Sequence, residues 1–338
     1  MSLVQSNAVL SSASLYASRA YGLSIVSNLP IPGLAASPAS EAAVDVRVYL
    51  GEIPPCLRNL ELSALPFFAA KQEEPDGLRM LALGSNHLHL HYADGTEFVL
   101  NRAGSEIWAA WGSKSSLEDA ATYLLGPVFG FLLRLRGITC LHAAAVAVDG
   151  LVAALVGPAG SGKSTLAAAM AQTGFVVVSE DVLPIEEAGG RYFVQPGYPR
   201  IRLWPDSAAA LFGSTDALPR LTPNWEKLYL GLQPPRFQPQ PLPLGAIYLL
   251  NTSDDASPRI SEISSRDALI ALVANTYANG VLDENMRAAE FRTLSPLAEL
   301  VPVRQLLLPD NFKALPSACD LLIENFRSAK LTAQNCNV

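Results

Sequence analysis

Long apolar runs are missing from this sequence. No stretch reaches the ~18 uninterrupted apolar residues that a membrane-spanning helix needs, and the most apolar segment, Gly126 to Leu135, is broken by Gly126, Pro127, Gly130 and Arg134. That segment reads as a buried helix. Cysteine is equally scarce: Cys56, Cys140, Cys319 and Cys336 are the 4 in 338 residues. They form no CxxC pair and no zinc-ligand spacing, which sets aside a disulfide scaffold and a cysteine-based zinc site. Clusters of basic residues are absent too. The 24 Lys and Arg are scattered among 31 Asp and Glu, for a net charge of −7, so there is no electrostatic footprint for nucleic acid or an anionic membrane surface. The opening residues, MSLVQSNAVLSSASLYASRAYG, lack the basic start and compact apolar core of a secretion signal. A cytoplasmic protein is expected.

What the chain does have is apolar mass. Half of its residues are hydrophobic, enough for one large domain or two. From Tyr21 to Val99 the apolar spacing is mostly two, in Val44 to Leu50, Leu78 to Leu83 and His87 to Leu100, and residues 1–115 read as a β-rich amino-terminal domain. Between Ser116 and Arg136 the spacing lengthens to three and four. Ser115 or Ser116 is the expected N-cap and Gly137 the stop of a connecting helix over 116–138.

Residues 139–330 form the second expected domain. Two apolar strands, His142 to Val148 and Leu151 to Val156, are split by Asp149-Gly150, a hairpin dipeptide. A glycine-rich loop follows directly, then a helix from Lys163 to Gln172 closed by Gly174, then the apolar strand Phe175 to Ser179 with Glu180-Asp181 at its end. Pro196 to Pro243 is too rich in proline for regular elements and too apolar for disorder, and reads as an ordered covering excursion. Strands at Ala246 to Asn251 and Val303 to Leu308 and helices at Ser265 to Tyr277, Glu284 to Leu300 and Asn311 to Arg327 complete the chain, with 331–338 a loose tail.

The loop Gly157-Pro158-Ala159-Gly160-Ser161-Gly162-Lys163-Ser164, with Thr165 after it, satisfies GxxxxGK[ST] at every fixed position. Glycines let consecutive N–H groups turn inward around a phosphate, the Lys163 ammonium reaches the outer phosphate oxygens, and the Ser164 hydroxyl is a magnesium ligand. Binding alone needs no more than this, but phosphoryl transfer needs acids near the metal and the terminal phosphate. Glu180 and Asp181 supply them, because a parallel sheet brings their strand end to the edge where the loop lies. Neighbours on a strand face opposite ways, so one acid would hold magnesium while the other meets an acceptor hydroxyl. The expected metal ligands are Ser164 and Asp181, and either acid stays open as the base.

The stretch from Leu141 to Trp204, with LHAAAV, the phosphate loop, SED and PGYPRIRLWP, resembles the HPr kinase-related serine kinases, in particular those that accompany lasso-peptide biosynthesis. The opening YGLSIVSNLPIPGL and the later LPLGAIYLL and VPVRQLLLP are similar to that subgroup as well. The resemblance implies an α/β fold, α+β overall: a phosphate-loop domain of the kind shared by HPr kinase and phosphoenolpyruvate carboxykinase, preceded by a β-rich domain. It further implies ATP and Mg2+ as cofactors and serine phosphorylation at the C-terminus of a precursor peptide. It admits a homo-oligomer. Carried onto this chain, the family's histidine falls on His142, its phosphate loop on Gly157 to Thr165 and its paired acids on Glu180 and Asp181; the catalytic group is His142, Lys163, Glu180 and Asp181. The EIRGLGI signature of bifunctional HPr enzymes is missing, so neither HPr as a substrate nor phosphorolysis is implied.

Other residues carry a plainer reading beside the functional one. His142 starts an apolar strand, where a histidine is usually structural, yet with an ordinary pKa near ~6.5 it is suited to tune an acid. His87, His89 and His91 alternate in HLHLHY, either as a metal face or, more simply, as the solvated face of a sheet with Leu88, Leu90 and Tyr92 turned inward. Arg200 and Arg202, two apart, are candidate clamps for phosphate or carboxylate oxygens, as are Lys227 and Arg236 in the excursion. Trp204 and Trp225 read as packing. The competing functions are a small-molecule kinase acting on free serine or a relative, and a regulatory protein that holds ATP without transferring its phosphate.

Overall fold

A computed structural model of the chain describes residues 15–38, 43–55, 78–278 and 282–335; Cys56 and Cys336 lie outside them. The period-two segments form β1 (Tyr16–Ala20), β2 (Leu23–Ser27), β3 (Ser37–Pro38), β4 (Val46–Leu50), β5 (Arg79–Leu83), β6 (His87–His91), β7 (Glu97–Asn101) and β8 (Glu106–Ala110). They make one mixed sheet in the order β3-β1-β2-β4-β8-β7-β6-β5. One face buries Ile25, Val48, Leu90, Phe98 and Leu100 against Leu124, Phe129 and Leu132 of the connecting segment. The histidines of β6 are not simply solvated. His89 is fully buried with its Nε2 2.9 Å from Glu97 Oε2, and His87 meets Trp108 edge-on at 6.0 Å. Trp108 and Val99 cover that side, and among the described residues no three His, Cys, Asp or Glu gather into a metal-holding group.

The connecting segment starts as its caps require. Ser116 Oγ accepts from Asp119 N–H at 3.1 Å while the Asp119 carboxylate accepts from Ser116 N–H at 2.8 Å, a reciprocal capping box. The single expected helix is instead α1 (Leu117–Tyr123), a wide π turn (Leu124–Val128) and α2 (Phe129–Leu135). Pro127 has no N–H to donate and so cannot sustain the regular ladder, and Phe129 N–H reaches back to the Leu124 carbonyl. Tyr21 fixes this turn to the first sheet by donating its hydroxyl to the Leu125 carbonyl at 2.5 Å.

The second half is built on β9 (Thr139–Val148), β10 (Leu151–Val156), α3 (Lys163–Gln172), β11 (Val176–Ser179), β12 (Val182–Ala188), β13 (Arg191–Val194), β14 (Arg200–Leu203), α4 (Pro205–Phe212), β15 (Leu228–Gly231), β16 (Leu242–Ser253), β17 (Arg259–Glu262), α5 (Ser265–Ala274), α6 (Glu284–Leu300), β18 (Val303–Pro309) and α7 (Leu315–Asn335). The main sheet runs β10-β9-β12-β13-β16-β18-β17, with β11 also on β9 and β10 also on β16. β10, β16 and β18 are parallel, and β9 is antiparallel to β10. Leu166, Ala167 and Met170 of α3 pack with Ala318 and Leu322 of α7 on one face of the sheet, while Leu272 of α5 and Leu294 and Leu297 of α6 cover the other. The Arg134 guanidinium and the Glu290 carboxylate, both buried, pair between α2 and α6.

Three expectations are corrected. The proline-rich excursion contains regular structure, the ribbon β14–β15 with Ile201 paired to Leu230 and the helix α4, which starts with Pro205 where its missing N–H costs nothing. The helix placed at Ser265 to Tyr277 ends at Ala274: Asn275 caps it through its N–H on the Ala271 and Leu272 carbonyls, while its own carbonyl accepts from His142 N–H and Tyr277 N–H donates to the Cys140 carbonyl. The last helix begins at Leu315, after a short 3-10 turn at Phe312–Ala314, and continues past Lys330 to Asn335.

Candidate functional site

The loop after β10 is shaped by what its backbone must avoid. A Cβ on Gly157 would lie 2.7 Å from Ser161 Oγ and 2.9 Å from the Leu250 carbonyl oxygen, so only glycine allows this approach. Gly162, the N-cap of α3, adopts φ +89°, and α3 has no side-chain cap. Its first-turn N–H groups, together with the positive end of the helix dipole, therefore face the loop. Ser161 Oγ is buried and has no hydrogen-bond partner among the described residues. Lys163 is nearly buried and donates to the carbonyls of Gly157 at 2.8 Å and Pro158 at 2.9 Å. Burial lowers its pKa, with Asp181 and Glu180 acting the other way. Thr165 and Ser207 share a hydroxyl hydrogen bond of 2.9 Å that ties α3 to α4.

The acids reach the loop by a different route from the one expected. β11 is not beside β10; β9 lies between them, and because both pair antiparallel to β9 they still run the same way. Glu180 and Asp181 then occupy the break between β11 and β12, where Asp181 takes φ +76°. A left-handed residue cancels the strand alternation, so the carboxylates converge. Glu180 accepts from the Ser164 hydroxyl at 2.8 Å and from Arg202 Nε at 3.1 Å. Asp181 lies 2.5 Å from an Arg202 terminal nitrogen, accepts from the Tyr277 hydroxyl at 3.0 Å, and has His142 Nε2 at 3.4 Å. The acid hydrogen-bonded to Ser164 is Glu180, while Asp181, the acid expected to share a metal with that hydroxyl, faces Arg202, Tyr277 and His142.

The electrostatics follow from this arrangement. Burial by itself would raise the Asp181 carboxyl, but the Arg202 charge and then His142 outweigh it and hold the group well below the usual carboxylate range. Burial likewise works against the Arg202 cation, and Asp181, Tyr198 and Glu180 more than offset it, so the guanidinium stays charged. The Tyr277 phenol is raised well above its ordinary value, first by burial and then by Asp181, so it remains a donor. Tyr198 beneath Arg202 is pushed up to about 12 by burial.

The cleft that contains these groups has a volume of ≈ 1410 Å³ and is lined by the loop from Ala159 to Thr165, by His142, Glu180, Asp181 and Arg202, and by Lys227 and Tyr277. Of the candidate acceptor-binding cations, Arg202 is in the cleft but engaged by both acids, and Lys227 lines it with Nζ 4.8 Å from the Trp204 ring. Arg200, which stacks 4.1 Å over Tyr229, and Arg236 are not part of the cleft wall. Trp225 packs on Tyr123 at 5.1 Å as expected, whereas Trp204 is 54 % exposed. Tyr277 and Ser207 were not anticipated. Nothing in the local pattern marks either one, since both gain their role from partners distant in the chain.

No family model matches this chain, and no curated protein matches it. Among solved structures, the HPr(Ser) kinase/phosphatase from Coxiella burnetii aligns with a TM-score of 0.32 and 15% identity, over 59% of this chain and 96% of that one. At that score and identity neither fold nor function transfers from that protein.

Proposed function

We propose that the chain is a magnesium-dependent kinase that transfers the γ-phosphoryl group of ATP to a hydroxyl, the acceptor being a serine at the C-terminus of a ribosomally made precursor peptide. The observation that carries the transfer reading is the convergence of Ser164, Glu180, Asp181 and His142 on one cleft edge, which phosphate binding alone would not require. The identity of the acceptor rests on the sequence resemblance.

The residues present fit Mg-ATP. The uncapped start of α3, the unpartnered Ser161 hydroxyl and a lysine held on loop carbonyls form a set of donors without an internal acceptor of matching charge. Bound Mg-ATP supplies the transferable phosphoryl group and a divalent charge that offsets its oxygens. Lys163 then exchanges two loop carbonyls for phosphate oxygens. Ser164 and Glu180 would hold the magnesium ion, since a magnesium site of this kind needs only one or two protein ligands. Asp181, kept anionic by Arg202 and oriented by Tyr277 and His142, aligns the acceptor hydroxyl and takes up its proton.

The volume of the cleft leaves room for an acceptor beside the nucleotide. Beyond the residues around the loop and the acids, its wall includes Met80, Leu90, Tyr123 and Phe131, and at ≈ 1410 Å³ it has room for a nucleotide and an acceptor together, since a single small-molecule site takes roughly 300–1,000 Å³. Transfer of label from γ-labelled ATP to peptides ending in serine, with free serine in parallel, tests the reading. Loss of transfer in Lys163→Ala is required, and full retention overturns it. Tight ATP binding with no phosphorylated product from any acceptor favours the regulatory alternative.

A further inference from the structure

We infer that the nucleotide base binds on the β16–β18 side of the phosphate loop, stacked on the Phe312 ring. This rests on the proposal that the loop holds a nucleoside triphosphate.

The argument is one of direction. The loop leaves β10, which has two flanks. On one, β9 intervenes and the break between β11 and β12 carries Glu180 and Asp181 with Arg202 across them. On the other, β16 pairs parallel to β10 with Val156 opposite Leu249, and β18 pairs parallel to β16 with Thr252 opposite Leu308. The carboxyl ends of all three parallel strands therefore share one edge of the sheet. A triphosphate whose terminal group faces the acids must extend its nucleoside away from them, and away from the acids along this edge means across the ends of β16 and β18.

The cleft wall on that flank has the chemistry of a base shelf. Thr252, Leu308, Phe312, Leu315 and Ala318 line it, and Asp310 is the one carboxylate among them. Phe312 lies in the 3-10 turn between β18 and α7, is 46 % exposed, and belongs to no buried cluster among the described residues. An exposed aromatic face is what a purine or pyrimidine stacks on, without preference for its edge groups. Asp310 beside it offers a hydrogen-bond acceptor to an exocyclic amine or a ribose hydroxyl. Trp204 is the other exposed ring in the cleft, but it stands on the acid flank, two residues beyond Arg202, with the Lys227 ammonium over its face.

Calorimetry with Mg-ATP and with magnesium tripolyphosphate, which has the triphosphate chain without base or sugar, separates the base contact from the loop. Phe312→Ala is expected to weaken ATP about tenfold, a typical loss for one stacked base, and to leave tripolyphosphate binding unchanged. Phe312→Trp is expected to retain ATP affinity. Lys163→Ala should weaken both ligands, since it acts on the phosphates. Equal weakening of both ligands by Phe312→Ala, no effect on ATP, or an ATP-selective loss in Trp204→Ala in place of Phe312→Ala would each overturn the assignment. Failure of the unaltered protein to bind either ligand would instead overturn the phosphate-loop reading, and the base shelf with it.

Discussion

One guanidinium holds both candidate catalytic carboxylates: Arg202 donates from Nε to Glu180 at 3.1 Å and from a terminal nitrogen to Asp181 at 2.5 Å. Two adjacent buried carboxylates would repel, and one would be driven to protonate. Arg202 offsets that repulsion and, with His142, holds the Asp181 carboxyl well below the usual carboxylate range, while Glu180 turns to the Ser164 hydroxyl and Asp181 to His142. An arginine suits this role because its planar fork reaches two acceptors at fixed angles, which a lysine does not.

Replacing Arg202 by Met should therefore act on Asp181 through its proton. Without the cation the Asp181 pKa rises from its depressed value, because Arg202 is the chief group opposing its burial. Phosphoryl transfer is expected to fall by about 100-fold or more, within the range assigned to a positioned base, and to recover partly as pH is raised, whereas the unaltered protein shows no such limb from Asp181. Single-turnover rates across a pH series check this, and a loss independent of pH would show that Arg202 acts otherwise.

Glu180 and Asp181 should separate by their dependence on metal. Glu180→Gln removes the carboxylate beside Ser164 and is expected to raise the magnesium concentration needed for half-maximal transfer. Asp181→Asn is expected to lower the rate even at saturating magnesium, by about 100- to 10,000-fold if it handles the hydroxyl proton. Magnesium titrations of both variants decide it, and the reverse pattern would exchange the two roles.

How much of this was legible in the sequence depended on how local each cause was. The glycine-rich loop between β10 and α3 could be located completely, because its glycines and Lys163 mark the strand-to-helix turn, and Glu180 and Asp181 could be located from their place after the next strand. The different partners of the two acids could not. They follow from the left-handed backbone at Asp181, which a non-glycine residue seldom shows and no neighbour announces. Arg202 read as a clamp for a ligand because its partners lie far back in the chain, and Tyr277 read as a helix end because its N–H is claimed by the distant Cys140 carbonyl. The ribbon of β14 and β15 was hidden by its prolines, which fall at its ends and leave the paired residues free to bond.

Gly130 and Tyr277 form a contact that admits no larger residue. A Cβ at Gly130 would run into the Tyr277 ring, and the ring cannot move without withdrawing its hydroxyl from Asp181. Gly130→Ala is expected to cost ~1–3 kcal/mol, as overpacking usually does, even though alanine is the better helix former. Thermal or denaturant unfolding measures this, and a stabilised variant would show that the ring yields freely.

The buried pair between Arg134 and Glu290 makes the sharpest statement about pH. Burial raises the Glu290 carboxyl and Arg134 only partly opposes it, so the folded pKa stands above the unfolded value of about 4.3. Between those two values the folded chain holds more of the proton than the unfolded chain, and stability falls as pH rises through that window. Above it the ionised carboxylate is carried by Arg134, with smaller support from Thr276 and Arg287. Glu290→Gln keeps a hydrogen-bonding partner for Arg134 and cannot titrate, so the unaltered protein is expected to be more stable relative to this variant near pH 4.5 than at pH 7. Glu290→Ala instead leaves the guanidinium buried and unpaired, with an expected loss of ~3–5 kcal/mol in addition to the same pH-dependent difference, since neither variant titrates at this position. Unfolding curves of the three proteins at both pH values carry the test; a stability difference between the unaltered protein and Glu290→Gln that stays flat, or that grows in the other direction, would mean that Arg134 fully offsets the burial of Glu290.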